Sequence, residues 1–217
     1  MPGVDFKLYL ITDRKLAARR GLAETIESAL QAAAELHARP PIAVQLREKD
    51  LDGRALIQLA NELGQICRRY HVPLLVNGRI DVAMAAGADG VHLPADGIGP
   101  GDARKLLGPS KLIGVSTHNA GEITSAEGLG ADFAVFGPVF DPISKGNWSA
   151  PTGPQGLASA CSAASLPVFA LGGITAARMA DLQDTGAAGI AVIGAIIGAN
   201  DPAQAAVELM KALGEWD

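Results

Sequence analysis

Short apolar runs alternate with longer amphipathic stretches along the whole chain. Leu8 to Thr12 reads as a strand, and Leu22 to Leu36 then carries apolar residues at helical spacing. The same pairing recurs at Ile42–Leu46 with Gly53–Tyr70 and at Leu74–Val76 with Ile80–Ala86. Val91–Leu93 with Pro100–Leu107, then Leu112–Val115 with Ala120–Leu129, continue it. Phe133 to Phe136 is followed by a polar loop from Asp141 to Pro154 and a helix near Gly156 to Ala164. Val168 to Leu171 leads to a helix that starts near Ala176, with Thr175 as its cap. Ile190 to Ile193 leads to a short helix at Ala195–Ile197, and Asp201 to Leu213 closes the series. Runs of four or five apolar residues without alternation suit strands buried on both faces of a parallel sheet. Eight such units predict an α/β fold, a (β/α)8 TIM barrel, as one domain over residues 1–217.

A weak repeat supports the unit count. Gly87-Ala88-Asp89-Gly90-Val91, Gly130-Ala131-Asp132-Phe133-Ala134 and Gly186-Ala187-Ala188-Gly189-Ile190 each close a helix and open a strand. Glycine at that point can take the left-handed conformation that ends a helix. Two further glycine sites carry candidate chemistry. Gly172-Gly173 follows the seventh strand, and Ile193-Gly194 ends the eighth. Strand ends that finish in glycine before a helix start expose backbone N–H groups to an anion. In a TIM barrel this is where phosphate is frequently held. The plainer alternative is that these glycines only permit tight turns and close packing.

Composition narrows the partners. The chain is 48% hydrophobic and 19% charged, with a net charge of −5, so no basic footprint for nucleic acid or anionic membrane is present. No apolar run approaches the ~20 residues of a membrane span. The opening Met-Pro-Gly-Val-Asp-Phe-Lys lacks the pattern of a secretory signal. Cys67 and Cys161 fall in predicted helices without metal-ligand spacing and read as reduced packing residues. The chain is expected to be soluble and cytoplasmic, with a homo-oligomer left open.

Barrel chemistry sits at the C-terminal strand ends. The second strand ends in Gln45-Leu46-Arg47-Glu48-Lys49, and alternation puts Gln45 and Arg47 on one face with Lys49 just beyond. Two cations there suit a phosphate or diphosphate; the alternative for Arg47 is a salt bridge to a nearby carboxylate. Asn77, after the third strand, either reads a heteroaromatic ring or braces the turn at Gly78. The fourth strand ends in His92-Leu93-Pro94-Ala95-Asp96, where one acid is too little to define a metal site. The fifth ends in Ser116-Thr117-His118-Asn119, and a histidine at that rim is suited to moving protons at neutral pH. His37 and His71 lie at helix ends away from this face.

Four segments together resemble the thiamine phosphate synthase superfamily over almost the whole chain. They are Gln45-Leu46-Arg47-Glu48-Lys49, Gly114-Val115-Ser116-Thr117-His118-Asn119, Phe136-Gly137-Pro138-Val139-Phe140 and Leu171-Gly172-Gly173-Ile174. The resemblance implies a (β/α)8 barrel and one of two activities. In the synthase branch, which joins a pyrimidine diphosphate to thiazole phosphate with Mg²⁺, an aspartate after strand three and another after strand four bind the metal. Here those places read Asn77-Gly78-Arg79 and Pro94-Ala95-Asp96-Gly97, so one acid is missing and the other is displaced by one. The departure resembles the TenI-type thiazole tautomerase branch, which needs no metal.

The resemblance therefore implies a tautomerase that aromatises a thiazole carboxylate phosphate, with His118 as proton shuttle and no metal ligands. Gln45, Arg47, Lys49, Asn77, Ser116, Lys145, Gly172, Gly173, Ile193 and Gly194 would bind the substrate. Lys49 and the Ser144-Lys145 pair resemble synthase residues that meet the diphosphate and the thiazole carboxylate region, and keep a Mg²⁺-dependent synthase as the alternative. A non-catalytic thiazole-phosphate-binding regulator is the second alternative.

Overall fold

The computed structural model describes residues 3–17, 19–141, 150–214 and 216. Its eight strands form a closed parallel barrel in sequence order, with β8 returning to β1. The strands are β1 (Leu8–Ile11), β2 (Ile42–Leu46), β3 (Leu74–Asn77), β4 (Gly90–Leu93), β5 (Leu112–Thr117), β6 (Phe133–Phe136), β7 (Val168–Leu171) and β8 (Gly189–Val192). Between and after them lie α1 (Leu22–Leu36), α2 (Gly53–Arg69), α3 (Ile80–Ala85), α4 (Pro100–Leu107), α5 (Ala120–Gly128) and α6 (Gly153–Ser162). Ala176–Thr185 winds as a 3-10 helix after β7, and α7 (Gly194–Ile197) and α8 (Pro202–Leu213) follow β8. Among the described residues no helix is long and apolar enough to cross a membrane.

The expected barrel is the one observed, and the boundary differences have local causes. β5 runs on through Ser116 and Thr117, which pair with Val135 and Phe136 of β6. Polarity there marks a strand end that faces the rim of the barrel rather than the end of pairing. α6 begins at Gly153, three residues before the sequence pattern suggests, because Pro154 sits in the first turn, where a missing N–H costs nothing. Thr175 occupies the cap position of the 3-10 helix, but its side chain makes no capping bond. Nothing in the local sequence explains that helix's tighter winding.

The Gly-Ala-Asp repeat has a structural function. Gly87, Gly130 and Gly186 all take positive φ and end the preceding helix. Asp89 then accepts from the backbone N–H of Leu74, and Asp132 from that of Ile113, each tying a strand to its neighbour. Arg104 completes the second of these with a 2.7 Å bond to Asp132.

Alternation divides every strand between the helix layer and the barrel interior. Leu8, Leu10, Ile42, Val44, Leu74 and Val76 point outward into the core shared with the helices. Tyr9, Leu75, Leu112, Phe133, Phe169 and Ala191 point inward, and Phe6 covers them from below. The Phe6, Tyr9, Phe133 and Phe169 rings pack at centroid distances of 5.0 to 6.5 Å, mostly tilted or edge to face. Gly114 stands directly across from Phe133, and a Cβ there would overlap the ring. Gly189 makes the same allowance for Phe169, with a hypothetical Cβ only 2.8 Å from the ring.

His92 of β4 also points inward, with its ring 5.6 Å from Tyr9 and 6.2 Å from Phe133. Burial, aided by the nearby Arg47 cation, lowers its pKa from 6.5 to about 3, so the imidazole is neutral at physiological pH. The Tyr9 phenol beside it is pushed up by burial and stays protonated.

Two measurements check this packing. Gly114→Ala should cost ~1–3 kcal/mol through overpacking against Phe133 and lower the melting temperature by several degrees, with partial recovery in a Gly114→Ala/Phe133→Leu double variant. Between pH 6.5 and about 3 the unfolded chain binds a proton at residue 92 that the folded chain does not. His92 therefore contributes a loss of up to ~1.4 kcal/mol of stability per pH unit as pH falls through that window. Denaturant titrations of wild type and His92→Gln should show the steeper fall in the wild type.

Candidate active site

The polar residues gather at the C-terminal ends of the strands. At β2, Gln45 faces inward and is buried, with its amide nitrogen lacking a hydrogen-bond partner. It lies beside the Tyr9 hydroxyl without completing a bond to it. Arg47, two residues on, is half-buried, and Lys49 is exposed. Neither forms an ion pair among the described residues, so the salt bridge considered for Arg47 is absent.

The strand end that carries Arg47 is clamped from below. The Arg47 backbone N–H donates to the Thr12 hydroxyl at 2.9 Å, and that hydroxyl donates to Glu48 at 2.8 Å. Buried Glu48 also accepts from the Arg14 backbone N–H at 3.0 Å and from its guanidinium at 3.3 Å. Arg14 further binds Asp50 through two bonds of 2.6 and 2.9 Å. Arg14, with help from Lys15, holds the Asp50 carboxyl well below the usual carboxylate range. The β2 rim thus has two cations paired with carboxylates, Arg14 and Lys15, and two without a carboxylate partner among the described residues, Arg47 and Lys49.

Across β3 to β5 the inward face is uncharged and polar. Asn77 pairs in register with His92, and His92 with Gly114. The Asn77 amide makes no side-chain hydrogen bond among the described residues, so it is not the brace of the Gly78 turn; Gly78 is instead held by its own N–H to the His92 carbonyl at 2.8 Å. His92 Nε2 lies 2.9 Å from Ser116 Oγ. A cavity of about 490 Å³ lies on the helix side of β4 and β5, lined by Leu93, Pro100, Val115, Ala126 and Leu129 among others, and is separate from the inward polar set. Arg79, by contrast, is bound to Asp81 at 2.8 and 2.6 Å and draws that carboxyl down to about 2.

His118 stands outside this inward set. It is exposed at the start of α5, where its backbone N–H donates to Glu122 at 2.7 Å and its Nδ1 lies 3.2 Å from the same oxygen. Asn119 caps the helix by accepting from the Glu122 N–H at 2.9 Å and donates its amide to the Glu122 carboxylate. His118 is thereby part of a helix-capping cluster.

The glycines at the β7 and β8 ends differ in what their surroundings require. Gly172 and Gly173 take φ of 108° and 61°, which favours glycine. A Cβ on Gly172 would lie 2.8 Å from Pro138, and one on Gly173 would lie 2.9 Å from Arg178 and Phe140. Close packing against the β6–α6 loop therefore requires both. Gly194 differs, since a Cβ there would meet nothing within 4 Å. It follows Ile193 and opens α7, where the Ile196 and Ile197 N–H groups donate to the Ile193 carbonyl and those of Gly194 and Ala195 have no intrahelical acceptor. Lys145 and its neighbour Ser144 lie outside the described residues.

Two groups escaped the sequence-based site. His92 sits between Val91 and Leu93 in an apolar strand; alternation alone would have turned it inward, toward the strand that carries Ser116. The Thr12–Glu48 clamp joins residues from different strands and left no local signal.

A family model described as thiamine monophosphate synthase matches residues 8–196. The chain is 45% identical over 213 residues to a putative thiamine-phosphate synthase of Geobacter sulfurreducens, covering 98% of this chain and 97% of that protein. It is 42% identical over 206 residues to a thiamine-phosphate synthase of Chloroflexus aurantiacus, covering 95% and 92%. A solved structure of thiamine phosphate pyrophosphorylase from Pyrococcus furiosus superimposes with a TM-score of 0.84 at 34% identity, covering 97% and 96%. These relatives overturn the tautomerase expectation. That expectation rested on Gly78 and Gly97 standing where acids were expected, and two rim positions weigh less than near full-length similarity to synthases. The chain is an enzyme and belongs to the thiamine monophosphate synthase family.

Proposed function

We propose that the enzyme joins a pyrimidine diphosphate to thiazole phosphate, forming a carbon–nitrogen bond to the thiazole ring and releasing diphosphate. The observation that carries this reading is the pair of uncommitted cations, Arg47 and Lys49, at the end of β2. A leaving diphosphate gains negative charge as its carbon–oxygen bond breaks, and preorganised cations stabilise that charge. The Thr12–Glu48 clamp holds the Arg47 backbone in place before substrate arrives. Asn77 and Ser116 offer neutral hydrogen-bonding groups to a heteroaromatic ring, and Gln45 presents its buried amide nitrogen from below. The open N–H groups at Gly194 suit the phosphate of the thiazole. No proton moves in this reaction, and His118 keeps its helix-capping role.

Mg²⁺ accepts one or two carboxylates together with substrate phosphates. Among the described residues no cluster of three His, Cys, Asp or Glu side chains forms, and Asp50 and Asp81 are held by arginines. Asp96 is exposed after β4 and has no such partner. The residues fit an ion carried by the diphosphate and one carboxylate, Asp96. Bound there, it would add to the neutralisation of the leaving group.

Incubation with the pyrimidine diphosphate, thiazole phosphate and Mg²⁺ should yield thiamine phosphate, detected by chromatography; absence of product with both substrates bound would overturn the reading. Arg47→Ala should lower kcat/KM on the order of 10²-fold, the scale of removing one preorganised charge-stabilising group, whereas Lys15→Ala, a surface partner of Asp50, should stay close to wild type. Gly194→Asp should weaken thiazole phosphate binding roughly tenfold or more by placing a carboxylate at the helix start, measured by calorimetry. Gly194 is the position for this test because substitution at Gly172 would also strain the backbone and strike Pro138.

A further inference from the structure

His92 is a deeply buried polar group on the inward face of the barrel. It is 2% exposed, with the rings of Tyr9 and Phe133 at 5.6 and 6.2 Å from its imidazole. Nε2 faces Ser116 Oγ at 2.9 Å. Nδ1 is buried and has no hydrogen-bond partner among the described residues. A neutral imidazole carries one N–H donor and one bare acceptor, and the partners of the two nitrogens choose between the tautomers.

The two choices leave different groups unsatisfied. With the proton on Nδ1, a buried N–H would be orphaned, and the Ser116 hydroxyl would spend its own proton inward on Nε2. With the proton on Nε2, the N–H donates to Ser116, and the unsatisfied group is a lone pair. Orphaned buried donors are the rarer and costlier outcome. The neighbouring Arg47 cation and the burial of the ring both keep the imidazole neutral, so a doubly protonated ring is not an alternative.

We propose that His92 is a positioning residue whose Nε2–H donates to Ser116, turning the Ser116 hydroxyl proton outward to a hydrogen-bond acceptor on the bound substrate. Ser116 is half-buried near the C-terminal end of β5 on the inward face, so its hydroxyl stands at the open end of the barrel above His92. The ligand atom it meets is thereby an acceptor, such as an unprotonated ring nitrogen or an anionic oxygen, and not an N–H group. This consequence rests on the synthase reading; the direction of the His92–Ser116 bond does not.

Nitrogen-15 NMR of histidine-labelled protein at neutral pH reads the tautomer directly, with the His92 signals assigned by their loss in His92→Gln. The expected result is a proton-bearing Nε2 and a bare Nδ1; a proton on Nδ1 would overturn the proposal. Kinetics supply the second measurement. His92→Gln places an amide nitrogen the same number of bonds from Cα as Nε2, whereas His92→Leu removes the donor. His92→Leu and Ser116→Ala should each lower kcat/KM about tenfold, the scale of one hydrogen bond. The double variant should be no worse than either single one, and His92→Gln should recover most of the loss. Multiplicative effects in the double variant, or equal damage from Gln and Leu in proteins with wild-type melting temperatures, would overturn it. A wild-type enzyme that makes no thiamine phosphate defeats the synthase reading instead, and the tautomer measurement then decides the bond direction by itself.

Discussion

Closing eight strands of four to six residues into a barrel creates an interior that only side chains can fill, and this constraint governs the rest of the molecule. The chain meets it with very few large residues. Aromatics make up 4% of the sequence, yet Phe6, Tyr9, Phe133 and Phe169 converge in the lower half of the barrel. Their bulk is accommodated by glycines at inward positions, Gly114 facing Phe133 and Gly189 facing Phe169. Each ring of this kind contributes ~3–5 kcal/mol when lost from a core, and the interior becomes a solid floor. Everything polar then has to lie above it.

That floor explains why the site is both precise in position and mixed in character. Strand alternation carries the same inward face upward from Tyr9, Leu75 and Phe133 to Gln45, Asn77, His92 and Ser116. The buried part of this set is neutral, because charge placed next to the aromatic layer would be desolvated without compensation. The depressed pKa of His92 expresses that cost. Charge enters only at the rim, where carboxylates select which cations remain available. Arg14 is committed to Glu48 and Asp50, and Arg79 to Asp81, while Arg47 and Lys49 have no carboxylate partner among the described residues. Asp96, after β4, has no ion-pair partner among the described residues.

The glycines after β7 show how one residue type can answer two demands. Gly172 and Gly173 pack against the β6–α6 loop so closely that a side chain is excluded, whatever binds above them. Gly194 has open space around it and owes its place to no neighbour. Steric necessity therefore applies to one of two motifs that look alike in the sequence and not to the other.

The sequence by itself determined the barrel, most element boundaries and the shared face of Gln45 and Arg47, because strand period and helix period are local properties of the chain. It also carried the family resemblance, since the Gln-Leu-Arg-Glu-Lys and Gly-Val-Ser-Thr-His-Asn segments are contiguous. It misled on the branch, because two missing acids were read without the near full-length similarity that outweighs them. Only the tertiary structure decided which cations are paired, that Thr12 and Glu48 fix the Arg47 backbone, and that His92 meets Ser116 while His118 turns to a helix cap. Those facts join residues on different strands, and their partners are set by register and closure, which no local pattern encodes.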